Sequence, residues 1–228
     1  MPRARSQTQD DWQTAAATEG SGCLSGYILP PLAALLIGCL LALLAFHTPS
    51  QAESFRADSP PSTSGISPFF TAEIQHWADD ITRWAAASNL DPNLVAVIMQ
   101  IESCGNPRAR SRAGAMGLFQ VMPFHFRATD NPYEPETNAT RGLAYLARSL
   151  QAAQGDARLA LAGYNGGIGI ISRAEWAWPA ETKRYVRYGA PMYEDARRGT
   201  SDSPTLDEWF KKYGTGMCRQ ARQQLGLP

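Results

Sequence analysis

Residues 94–123 read LVAVIMQIESCGNPRARSRAGAMGLFQVMP. The first nine residues, placed on a helix, set Glu102 four and seven positions after Ile98 and Val95, so the carboxyl shares their apolar face. The helix opens with Asp91 as its cap and Pro92 in its first turn, and it closes near Ser103, ahead of Gly105 and Pro107. An inward-facing acid at a helix C-terminus is disfavoured in its charged form twice over: it loses hydration, and it meets the negative end of the helix dipole. The sequence therefore predicts a raised pKa for Glu102, opposed only if Arg108, Arg110 or Arg112 approaches it. An acid that keeps its proton near neutral pH is equipped for general-acid chemistry. The plainer reading is a helix-end glutamate that bends back to solvent. No other carboxylate occurs until Asp130, so Glu102 has no acidic partner within its own loop.

Around this segment the pattern is helical, with apolar residues recurring at three and four residue spacing. Helices are expected at about 71–88, 137–153, 156–164, 181–196 and 205–225, with no run of alternating strands, which makes the fold all-α. A short polar tail, 1–26, precedes the charge-free stretch YILPPLAALLIGCLLALLAF at 27–46. Twenty residues at roughly 1.5 Å each just span a hydrocarbon layer of ~30 Å. Residues 27–47 are thus read as a membrane anchor or as a signal sequence cut after Ser50-Gln51-Ala52; a leader of 52 residues is long, which favours the uncleaved anchor. Both readings export the rest of the chain. A Ser/Pro-rich linker, 48–70, leads to the main domain, 71–198, and a helical extension, 199–228.

The chain has 21 basic and 21 acidic residues, and without residues 1–26 it has 19 and 18, a balance that gives no electrostatic case for nucleic acid as a partner. Cys104 and Cys218 are the two cysteines beyond the apolar stretch; a bridge between them and a pair of free thiols are both open. His76 and His125 lack ligand partners at useful spacing, so no metal and no cofactor are expected. Ser103 has no nearby histidine to activate it.

Four further motifs give the acid a context. Glu102-Ser103 and Asn106-Pro107 are succeeded by Gly117-Leu118-Phe119-Gln120-Val121-Met122-Pro123, then by Gly163-Tyr164-Asn165-Gly166-Gly167, then by Glu181-Thr182-Lys183-Arg184-Tyr185-Val186. In kind and order, over about residues 71–196, they resemble the lytic transglycosylases related to goose-type lysozyme, family 23 of the glycoside hydrolases. The departures are Phe119 for a usual Met, Gly163 for a usual Ala and Lys183 for a usual Arg.

The resemblance implies a lysozyme-like catalytic domain that cleaves the β-1,4 bond between N-acetylmuramic acid and N-acetylglucosamine in peptidoglycan without water. The 6-hydroxyl of the sugar attacks its own anomeric carbon and leaves a 1,6-anhydro end. Glu102 protonates the departing oxygen and, as carboxylate, then accepts the proton of that hydroxyl. Carried over by position, Ser111 and Tyr164 steady the acetamido group and the charge developing on the ring. Gln120 and Met122 line the muramic side, Asn165 anchors its loop, and Glu181 and Tyr185 stand at the far wall. With the anchor, the resemblance implies a single-pass inner-membrane protein whose catalytic domain faces the periplasm, or a secreted periplasmic one, opening the wall for a secretion, conjugation or pilus complex. A water-using muramidase and a catalytically silent peptidoglycan-binding scaffold stand as alternatives.

Overall fold

A computed structural model describes residues 65–228. The polar tail, the apolar stretch at 27–47 and most of the linker lie outside the described residues. None of the described helices is long and apolar enough to cross a membrane. Eight α-helices succeed one another among the described residues: α1 (Ala72–Gln75), α2 (Ala78–Ser88), α3 (Pro92–Glu102), α4 (Pro135–Ala152), α5 (Ala157–Gly166), α6 (Ala180–Arg197), α7 (Pro204–Trp209) and α8 (Thr215–Leu225). The described residues contain only two isolated antiparallel bridges, Arg110 to Met116 and Met116 to Val121, and no strand.

Helix α3 is the axis of the domain. The Asp91 carboxylate accepts from the Asn93 amide and Pro92 occupies the first turn, as the sequence predicts. Leu94, Val95, Ala96, Val97, Ile98 and Met99 are all essentially inaccessible, so the helix is covered on every side rather than on one face. At about 1.5–3 kcal/mol for each large aliphatic side chain buried, this one helix carries a large share of the apolar driving force. Its neighbours are α2 and α6.

Three sequence expectations need correction. The helix expected over 71–88 is two helices, because the chain turns at His76-Trp77, where the Trp77 indole N–H donates to the Gly105 carbonyl at 2.9 Å. The helix expected over 205–225 is interrupted by a π-helical turn, Phe210–Gly214, where the Trp209 ring lies against Gly214. The end of the expected linker is packed: Phe70 is buried, and the Ser67 amide donates to the Asn93 side chain at 2.7 Å.

The long segment between α3 and α4 is ordered by buried polar groups. The Ser103 hydroxyl donates to the Leu118 carbonyl at 2.7 Å and accepts from the Gly105 amide. Asn138, on α4, accepts from the Phe119 amide and donates to the Met116 and Pro132 carbonyls, each at 2.8–2.9 Å. Gly117 sits above this amide at φ +76°, and a Cβ there would lie 2.2 Å from Asn138 Nδ2. Only glycine satisfies both the backbone conformation and the space.

Candidate active site

Glu102 is the last residue of α3, and Ser103 caps the helix. It lines a pocket with Asn165 at the end of α5, Glu181, Arg184 and Tyr185 on α6, and residues of the C-terminal helices. By surface area Glu102 is only partly buried, yet protein atoms crowd its carboxyl enough that lost hydration dominates its ionisation. Burial raises its pKa from about 4.5 to about 8; the Tyr185 hydroxyl pulls in the opposite direction, and the Glu181 charge adds a smaller upward push. The arginines Arg108, Arg110 and Arg112 are not among the groups that act on it. The expected elevation is present, with burial as its leading cause.

Two tyrosines flank the acid in different ways. The Tyr164 hydroxyl donates to the Phe119 carbonyl at 2.7 Å, which ties α5 to the glycine-rich loop. Tyr185 is buried and its hydroxyl has no hydrogen-bond partner of good geometry, although it lies near enough to Glu102 to depress the acid's pKa. Both phenols are pushed well above their ordinary range by burial first and by the Glu102 charge second, so they stay protonated as donors. A buried, unpaired donor beside an acid has hydrogen-bonding capacity left to offer a polar group that enters the pocket.

A second pocket adjoins the first through Asn165 and is lined by Gln120, Met122, Phe124, His125, Tyr145 and Tyr164, among others. Asn165 is held by the Thr182 hydroxyl, which donates to its side-chain oxygen at 2.9 Å. Gln120 adopts a left-handed backbone, φ +45°, a conformation that costs a non-glycine residue of order 1–3 kcal/mol and clusters at functional sites. Its side-chain amide donates to the Gly117 carbonyl at 3.0 Å. The structure thus brings Glu102, Asn165, Glu181 and Tyr185 together in one pocket, and Gln120, Met122, Tyr164 and Asn165 in the other. Ser111 lines neither; its hydroxyl accepts from the Ala115 amide at 3.0 Å and closes a turn.

Residues that the sequence reading did not single out also shape the cleft. Tyr145 meets Tyr164 edge to face at 5.7 Å. Trp209, Tyr213 and Met217 complete the Glu102 pocket from the C-terminal side, and their spacing of four residues was a signal that one helical face pointed to a common neighbour. The departure Gly163 has a steric cause: a Cβ would lie 2.3 Å from the buried Ser149 hydroxyl. Cys104 and Cys218 are joined in a disulfide, Cα to Cα 5.0 Å, immediately beyond Glu102. The Glu73 carboxylate lies within 4.8 Å of both sulfurs, but a disulfide offers no thiolate to a metal ion.

Residues 79–185, which contain the acid, both tyrosines and the glycine-rich loop, match the family model described as the transglycosylase SLT domain. This segment is similar to the transglycosylase SLT domain. The chain is 42% identical over 111 residues to a transglycosylase of Enterobacteria phage PRD1, covering 48% of this chain and 40% of that protein. It is 30% identical over 86 residues to the membrane-bound lytic murein transglycosylase E of Buchnera aphidicola, covering 32% of this chain and 39% of that one. A solved structure of an inactive mutant of the lytic transglycosylase Slt from Pseudomonas aeruginosa aligns at 25% identity and a TM-score of 0.44, over 55% of this chain and 24% of that one. The chain therefore spans about two fifths of the length of these first two relatives. The match to the SLT model ends at residue 185, short of the C-terminal helices that complete the pocket.

Proposed function

We propose that the chain is a peptidoglycan lytic transglycosylase with a lysozyme-like catalytic domain over residues 71–198. The observation that carries this reading is Glu102, one of the two carboxyls that line the pocket and the one kept protonated to about pH 8. The names of its relatives, lytic murein transglycosylases among them, support the substrate. Protonated Glu102 gives its proton to the glycosidic oxygen as the bond to the anomeric carbon breaks. The sugar's 6-hydroxyl closes on that carbon, and its proton passes to the Glu102 carboxylate, which restores the starting state. An internal nucleophile contributes a large effective concentration, so the protein needs no second carboxylate to activate water.

One observation favours the hydrolytic alternative: Glu181 shares the pocket and its charge reaches Glu102, as a base for water would. The products decide. The full chain incubated with cell-wall sacculi is expected to release muropeptides one water lighter than hydrolysis gives, and Glu181→Gln is expected to keep that chemistry. Ordinary reducing ends from the parent, lost in Glu181→Gln, select the muramidase. Wall binding without turnover in the parent selects the silent scaffold. In the same reading residues 27–47 hold the enzyme in the inner membrane, its domain faces the periplasm, and it opens the wall locally for a secretion, conjugation or pilus complex; membrane fractionation of the full chain tests the first of these.

A further inference from the structure

The pocket that holds Glu102 is not completed by the SLT domain. Its outer wall is the C-terminal segment, from which Trp209, Tyr213 and Met217 face the acid's cavity. This wall is fixed at three places. Trp209 is buried against the body of the domain, Cys218 is bonded to Cys104, and the Arg222 guanidinium donates to the buried Glu73 carboxylate at 2.7 Å. A π-helical turn, of the kind that recurs at functional sites, lies between the first two and carries Tyr213.

Tyr213 is one of three large apolar side chains that are exposed among the described residues, at 48%. Tyr188 meets its ring edge to face at 5.6 Å and the Arg184 guanidinium lies 5.6 Å from its centroid, so the ring is oriented without being covered. An exposed aromatic at the rim of a cleft, beside a side chain with several N–H donors, suits a ligand with one apolar face and a polar edge. A pyranose ring has that character: axial C–H groups on its face, hydroxyls around its rim. Tyr185, with its unpaired buried hydroxyl, lines the same cavity and is a second sign that polar ligand atoms belong there.

We propose that Tyr213 is a sugar-stacking platform, with Arg184 beside it as hydrogen-bond donor, and that the C-terminal segment thereby sets affinity for the saccharide unit on the Glu181 side of the cleaved bond. This rests on the glycan-cleaving reading above and adds to it a binding position outside the SLT domain.

Calorimetric titration with a defined peptidoglycan oligosaccharide, in the full chain carrying Glu102→Gln so that the ligand stays whole, tests it. Adding Tyr213→Ala is expected to weaken binding about five- to tenfold, the scale of one aromatic stacking contact. Tyr213→Phe is expected to bind as the parent does, and Trp176→Ala, which removes an exposed aromatic away from this cleft, is expected to change nothing. With Glu102 intact, Tyr213→Ala should raise KM by the same factor and leave kcat within about twofold. Because the ring is half exposed, unchanged thermal melting of the variants serves as the folding check. Tyr213→Ala binding within twofold of the parent overturns the platform. A parent that binds the oligosaccharide but yields no anhydro product overturns the lyase reading alone, and one that binds no glycan overturns both.

Discussion

Replacing Glu102 by glutamine should make the protein more stable and abolish its activity, and the size of the gain comes from the acid's ionisation. In the folded chain the carboxyl holds its proton to about pH 8, whereas unfolded it releases it near 4.5. Between those values the folded state binds the extra proton, so stability falls as pH rises; the cost is absent below the unfolded pKa and complete above the folded one. Each pH unit corresponds to about 1.4 kcal/mol, which gives about 3 kcal/mol at pH 7 and up to about 5 kcal/mol above pH 8. Glutamine keeps the shape and cannot ionise, so it escapes this cost. Urea unfolding of parent and variant at about pH 4, 7 and 9 should show no difference at the first, about 3 kcal/mol in favour of the variant at the second, and more at the third. The variant should leave sacculi intact throughout. Equal stability at pH 7, or a gap that does not widen with pH, would mean that the carboxyl ionises freely and cannot serve as a neutral acid.

Tyr185→Phe removes the group that pulls the Glu102 pKa down, so the alkaline fall of kcat/KM should move above about pH 8, with stability unchanged or improved because a buried unpaired hydroxyl is gone. A pH–rate profile that stays in place refutes this coupling. Changing Cys104 and Cys218 together to serine opens a closure spanning 114 residues and should cost about 3 kcal/mol, read as a lower urea midpoint that reducing agent no longer shifts. Gly117→Ala should cost more than ~2 kcal/mol, since its Cβ meets Asn138 Nδ2 and the Pro132 carbonyl in a backbone conformation that alanine resists; urea midpoints and soluble yield measure it.

How much was legible in the chain differs from element to element. Helix α3 and its acid were readable because cap, first-turn proline and aliphatic run agree with one another, and helical geometry sets the position of Glu102. Gln120, Met122, Tyr164, Asn165, Glu181 and Tyr185 were placed by motif, and the two pockets gather them. Ser111 lines neither pocket, because its hydroxyl is used by a turn that local sequence does not announce. The break at His76-Trp77 escaped because it depends on an indole reaching Gly105, a partner 28 residues away. Tyr213 and Met217 escaped because no motif covers them, and their bearing on the site comes from tertiary closure by Cys218 and Arg222.

That closure has a consequence for how the protein comes into being. A ribosome delivers the acid more than a hundred residues before Trp209, Tyr213 and Met217, so helix α3 waits through all of that intervening synthesis for the segment that finishes its cavity. Contacts between such distant parts of a chain form late and slowly. A translation product cut short before residue 209 therefore contains every motif of the candidate site and still presents its carboxyl in an unfinished hollow.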